Sequence, residues 1–185
     1  MDRRIDKTRY AIKNAFINLL QTKSNQRITI TEITEKANVG RKTFYLHYNC
    51  IEDVVNDIEK ELETALTIMT IRFLRNNPNE PAWKIFTEFN QTIQCYLSIL
   101  EKISHSSYYF LFKNFCYQVI RPSVEQVLIN KYRIMGDKLD NLCDFYASGV
   151  SSLYAKYFQN KSNLSLDDVT KVAIDACFLG LEERN

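Results

Sequence analysis

Residues 28–48 read ITITEITEKANVGRKTFYLHY, and the spacing of their apolar positions sets the expectation for the rest of the chain. Ile30 and Ile33 weight one side of the segment 31–37, while Glu32, Glu35 and Lys36 occupy the other, as in a short amphipathic helix. Asn38 falls where the chain has to reverse. A turn between two helices commonly needs a positive φ, normally from Gly, and Asn is the side chain that tolerates this best. Gly40 can cap a second helix, in which Phe44 and Tyr48 lie one turn apart and Arg41, Lys42 and Tyr45 fall elsewhere on the wheel. One face of that helix packs and the other is free to touch something.

The free face opens with two cations at a helix N-terminus, the end that enters the major groove in a helix-turn-helix. Arg41 can bridge guanine O6 and N7, Lys42 can reach the same edge, and the Thr43 methyl can meet a thymine methyl. Tyr45 and His47 offer a hydroxyl and an imidazole to phosphates, contacts that set register without reading sequence. Taken alone, the Arg41-Lys42 pair is more often a solvated surface. The neighbouring residues change that. Thr29, Ile30, Ile33, Ala37 and Val39, followed by Thr43-Phe44-Tyr45-Leu46-His47-Tyr48, resemble the DNA-binding domain of the TetR family of transcriptional regulators and its T-[LF]-Y-x-[HY]-[FY] signature. The resemblance implies DNA contacts by Thr29, Arg41, Lys42, Thr43, Tyr45 and His47. It has two departures: Asn38 replaces the usual turn Gly, and Ile51 stands where the family usually carries a phosphate-contacting Lys, which removes one anchor.

The 185 residues are enough to bury a sizeable core. Four Gly, three Pro and no sustained alternation of apolar and polar residues point to an all-α chain. We expect an N-terminal three-helix helix-turn-helix domain over 1–50 and a C-terminal helical ligand-binding and dimerisation domain over 51–185. Charge divides the same way. Residues 1–50 carry ten Lys+Arg against four Asp+Glu, a net of +6, and the other 135 carry fourteen against eighteen, a net of −4. A basic head on an acidic body is a footprint for a polyanion at one end.

No apolar run approaches the roughly 20 residues of a membrane span, and no signal-peptide core occurs, so a cytoplasmic protein with no membrane partner is expected. The five Cys are odd in number and scattered without a C-x-x-C, which argues against a disulfide framework or a zinc site. They are expected to be buried and inert.

Along the chain, helices are expected over 6–20, over 52–75, which the resemblance implies links head to body, and from Pro81, which suits a first helical turn. Segment 108–120 is densely aromatic, Pro122 should end or kink its helix, and Gly136 should close the next. Trp83, Phe89, Tyr96 and Tyr109 are more large rings than one core stripe needs, which makes them candidates to line an effector cavity. They are equally well read as interior packing. Tyr146, Val150 and Leu153 on one C-terminal helix and Val172 and Ala176 on the next, with Ser165 to cap it, form apolar stripes among small residues. The resemblance implies that these two helices dimerise in a four-helix bundle.

No nucleophile elbow, Walker loop, zinc-protease motif or dinucleotide fingerprint occurs. No enzyme, cofactor or metal is therefore expected. The resemblance implies a ligand-responsive repressor that binds a near-palindromic operator on double-stranded DNA as a homodimer and responds to a small-molecule effector. A TetR-shaped coregulator working mainly through protein partners is the alternative.

Overall fold

The computed structural model of the chain describes residues 3–23, 27–106 and 108–182, excepting the side chains of 3–5, 109–115 and 179–182. The regular elements among the described residues are all helices, without a strand: α1 (Arg3–Thr22), α2 (Ile30–Ala37), α3 (Arg41–Tyr45), α4 (Ile51–Asn76), α5 (Ile85–Ser104), α6 (Tyr109–Tyr132), α7 (Gly136–Phe158) and α8 (Leu166–Glu182).

The N-terminal helices share one apolar cluster. Ile12, Ala15, Phe16 and Leu20 of α1, Ile28, Ile33, Phe44 and Tyr48, and Ile51, Val54, Val55 and Ile58 in the first turns of α4 belong to it, and it continues along α4 into the body. Ile51, at the family's phosphate-anchor position, is a core residue here.

Local chemistry explains the turn. Thr29 and Glu32 form a capping box: the Thr29 hydroxyl accepts from the Glu32 N–H at 3.3 Å, and the Glu32 carboxylate accepts from the Thr29 N–H at 2.9 Å. At the other end of α2, Asn38 adopts φ 52° and ψ 47°, the left-handed conformation expected of it. The Val39 N–H then reaches the Thr34 carbonyl at 3.0 Å and the Asn38 N–H the Glu35 carbonyl at 3.1 Å, which satisfies the helix's last acceptors.

Three expectations about the body change. Pro81 does not open an α-helix; it precedes a short 3-10 turn, Ala82–Lys84, that leads into α5. Helix α6 runs unbroken through Pro122. The ring removes the bond to the carbonyl four residues back and crowds it, and here that carbonyl belongs to exposed Gln118. Gly136 begins α7 rather than ending its predecessor, and α6 is closed by Arg133 at φ 54°, whose N–H donates to Ile129. Ser165 caps α8 as expected, accepting from the Asp168 N–H at 3.2 Å and donating to its carboxylate at 2.7 Å.

Buried polar groups tie the body together. The Tyr154 hydroxyl of α7 lies 3.1 Å from Asn90 Oδ1 of α5 and 3.2 Å from Thr170 Oγ1 of α8. From α6, the Lys131 ammonium donates to the carbonyls of Asn77, Pro78 and Glu80 at 3.2, 2.8 and 2.7 Å, pinning the α4–α5 connection.

Candidate functional site

Helix α3 is five residues long, and its orientation comes from the rings beneath it. Phe44 is fully buried with Tyr48 beside it, their centroids 5.7 Å apart, and Tyr45 stands edge-on to Phe44 at 5.7 Å. With Phe44 turned inward, Arg41 and Lys42 project into solvent, Tyr45 is exposed, and Thr43 and His47 are half-buried. Leu46, 75% exposed, shares this face and was missed in the sequence. It occupies the variable position of the signature, so no pattern marks it. The Thr29 hydroxyl is engaged in capping α2, a role that its spacing from Glu32 signals directly. Bonds from Lys23 and then from Thr29 pull the Glu32 carboxyl down to about 2.

Behind the head lies a charged clamp that the sequence reading also missed. The Tyr48 hydroxyl and the Arg9 guanidinium both donate to the Asp57 carboxylate, and Arg9 lies 5.8 Å from the Tyr48 ring centroid. Lys13, nearly buried, sits 3.2 Å from the same carboxylate and pairs with Glu61. Burial pushes the Asp57 carboxyl up, but the bonds from Tyr48, Arg9 and Lys13 outweigh it and hold the group below its ordinary range. A lone Lys inside the α1 stripe, beside Ile12, was the available signal. A second contact joins body to head: Tyr108 packs edge-on to Phe16 at 5.4 Å and directs its hydroxyl to the Ile28 carbonyl at 3.4 Å.

The body holds a cavity of about 60 Å³ between α4, α5, α6, α7 and α8. Met69 and Thr70 of α4, Phe86 and Phe89 of α5, Ile120 and Ser123 of α6, Tyr146 and Val150 of α7, and Cys177 and Phe178 of α8 are among its walls. Of the four rings suggested for this role, Phe89 lines it. Trp83 is exposed on the 3-10 turn, and Tyr96 is half-buried elsewhere, where burial and then the Glu61 charge raise its phenol. The Tyr109 side chain lies outside the described residues.

The dimerisation candidates divide similarly. Val150, 3% exposed, faces inward onto the cavity, because α7 turns that stripe toward the chain's own core. Tyr146 and Leu153 are half-buried, and Val172 and Ala176 are exposed. On the outer face of α7, Phe145 is 69% exposed beside Ser148, Gly149 and Ser152, and a Cβ built on Gly149 would meet nothing.

The cysteines are free. Burial raises the thiols of Cys116 to about 12 and Cys177 to about 11. Cys95 departs from the expectation of burial and is exposed, and Cys50 is half-buried.

An all-α chain with a two-helix turn, an exposed basic face and an apolar cavity behind it has the architecture of a helix-turn-helix regulator. Comparison with known proteins gives the particular fold. A dihydroxyacetone kinase operon activator, DhaS, superposes with a TM-score of 0.63 at 14% identity, covering 95% of this chain and 97% of that one. A TetR transcriptional regulator from Streptococcus agalactiae 2603V gives 0.57 at 23% identity over 95% and 96% of the two chains. The chain has the fold of the TetR-type transcriptional regulators. In sequence, an uncharacterized HTH-type transcriptional regulator of Bacillus subtilis (strain 168), YxbF, is 37% identical over 82 residues, 43% of this chain and 21% of that protein. The match thus spans about a fifth of the relative's length. No family model matches the chain. The proteins it is similar to are described as regulators of transcription, not enzymes, and no helix among the described residues is long and apolar enough to cross a membrane.

Proposed function

We propose that the chain is a DNA-binding transcriptional regulator whose head, 1–50, reads an operator and whose body, 51–185, dimerises and holds an effector. The observation that carries this reading is the free face of α3. Arg41, Lys42 and Tyr45 stand exposed on a helix whose opposite residue, Phe44, is fully buried, and the preceding turn is held by left-handed Asn38. Rigidly presented cations of this kind can reach guanine edges and the Thr43 methyl a thymine methyl, with His47 and the α2 start near Thr29 available to the flanking phosphates.

Dimerisation pairs the outer faces of α7 and α8, where Phe145, Val172 and Ala176 lie exposed among small residues that let a second backbone approach. Two heads about 34 Å apart then meet successive major grooves of a near-palindromic site. A molecule in the cavity touches α4, which the Asp57 clamp fastens to the head, and it changes operator affinity to the extent that it favours one head spacing. Repression is the sign of control we take from the resemblance; a promoter reporter measured with and without the protein determines it.

Selection on a random duplex library tests the reading. Enrichment of a near-palindrome supports it. With no motif enriched, the coregulator reading takes the lead, and what favours that alternative is Ile51, buried where a phosphate-binding Lys would stand.

A further inference from the structure

Leu46 is the most exposed large apolar side chain among the described residues. The backbone fixes its place on the exposed face of α3. It keeps a right-handed helical conformation, and its N–H donates to the Lys42 carbonyl at 3.2 Å, so the helical turn carries on through it. At about 100° per residue, Arg41, Tyr45, Lys42 and Leu46 fall in that order within an arc of roughly 140°, and buried Phe44 and Tyr48 fall outside it. An exposed leucine by itself is ordinary. This one stands beside Arg41 and Lys42, neither of which takes part in an ion pair among the described residues. A partner of this face therefore has to be anionic and to offer an apolar group among its charges. Duplex DNA meets both conditions, and the apolar group on its major-groove edge is the C5 methyl of thymine.

We propose that Leu46 packs on a thymine methyl in each half-site and so sets a base preference that Arg41 and Lys42 do not. The inference rests on α3 being the DNA-facing helix. A leucine side chain neither donates nor accepts a hydrogen bond, so phosphates and the polar base edges give it nothing. Leu46 lies one turn beyond Lys42, on the order of 6 Å along the axis, or about two base-pair steps of roughly 3.4 Å. The thymine it selects is thus a different base pair from the one within reach of Lys42.

The operator recovered by selection on a random duplex library tests this when each thymine of the half-site is replaced in turn by uracil, which lacks only the methyl. Uracil at one position of both half-sites should weaken binding of the wild-type protein about fifteenfold, roughly fourfold for each methyl covered. Leu46→Ala should bind the thymine and uracil duplexes equally at that position. Leu46→Met, which keeps an apolar side chain there, should retain most of the difference. Thr43→Ser should leave it unchanged, which separates the two methyl contacts. The Leu46 side chain is exposed, so both of its variants should melt with the wild type.

Half-sites without a thymine, uracil tolerated at every position, a loss on uracil that persists in Leu46→Ala, or a difference abolished as fully by Leu46→Met would each overturn the proposal. In all four cases an operator has been enriched, so the DNA reading stands and the thymine contact alone is removed. With no motif enriched, the DNA reading falls and the proposal falls with it.

Discussion

The Tyr48 hydroxyl donates to Asp57 Oδ2 at 2.6 Å, tying the last ring of the helix-turn-helix to the second turn of α4. Arg9 binds the same carboxylate from α1, with Nη2 to Oδ1 at 2.5 Å and Nε to Oδ2 at 3.3 Å. One carboxylate thereby fixes three segments, and any movement of α4 reaches both the first helix and the end of the helix-turn-helix.

Asp57→Asn should cost about 1 to 3 kcal/mol, since it keeps the shape but leaves Arg9 and Lys13 facing a neutral amide. The pH dependence has a definite sign. The folded carboxyl is held below its unfolded value, so its contribution is complete above about pH 4 and is lost as pH falls through the folded-state pKa. Urea unfolding across an acid series should show a shallower acid loss for the variant than for the wild type. Identical slopes would mean that the carboxylate's charge contributes nothing to stability.

Backbone sign at two helix ends gives a separate pair of expectations. Asn38 and Arg133 both have positive φ, at 52° and 54°. Asn38→Val should lower stability by about 1 to 2 kcal/mol, because a β-branched side chain resists the left-handed region. Arg133→Gly should raise it by roughly 0.5 to 1 kcal/mol, because Gly takes this conformation without a Cβ clash. Chemical denaturation reads both, and a stabilising Asn38→Val would show that the turn is not held in this conformation.

On the reading face, Arg41→Ala should cost about 1 to 3 kcal/mol at one position of each half-site and relax the base preference there. His47→Ala should weaken binding across all sequences instead. Thr29→Ala should do the same and should also lose about 1 kcal/mol of folding stability, since its hydroxyl caps α2. Binding assays over single-base operator variants, paired with thermal melts, separate base readout from the cap.

Glutamate substitutions should distinguish the outer face of α7 from its inner one. Phe145→Glu should give a folded monomer, because the side chain is exposed in the single chain. Val150→Glu should instead prevent folding, because it buries an unpartnered charge in the core. Sedimentation and circular dichroism report the two outcomes. A wild-type monomer at micromolar concentration would refute dimerisation through this face.

What the sequence determined by itself was local. The left-handed turn at Asn38, the inward rings Phe44 and Tyr48, the cap at Ser165 and the apolar stripe of α1 each depend on residues within a turn or two of one another, where periodicity and capping chemistry act. The T-x-x-E cap at Thr29 was equally local and could have been read. What only the tertiary structure decided was partnership across distance. Apolar spacing shows that Val150, Phe89 and Tyr96 each lie on a packing face, but not what that face packs against; the fold turned the first two toward a cavity and the third away from it. Pro122 carried a breaker's signal, yet α6 continues because losing one hydrogen bond costs less than unpacking a helix buried along Val119, Ile120, Val127 and Leu128. Arg9 and Asp57 are 48 residues apart, and nothing in either local pattern names the other. Their contact exists because the three-helix head packs α1 across the start of α4.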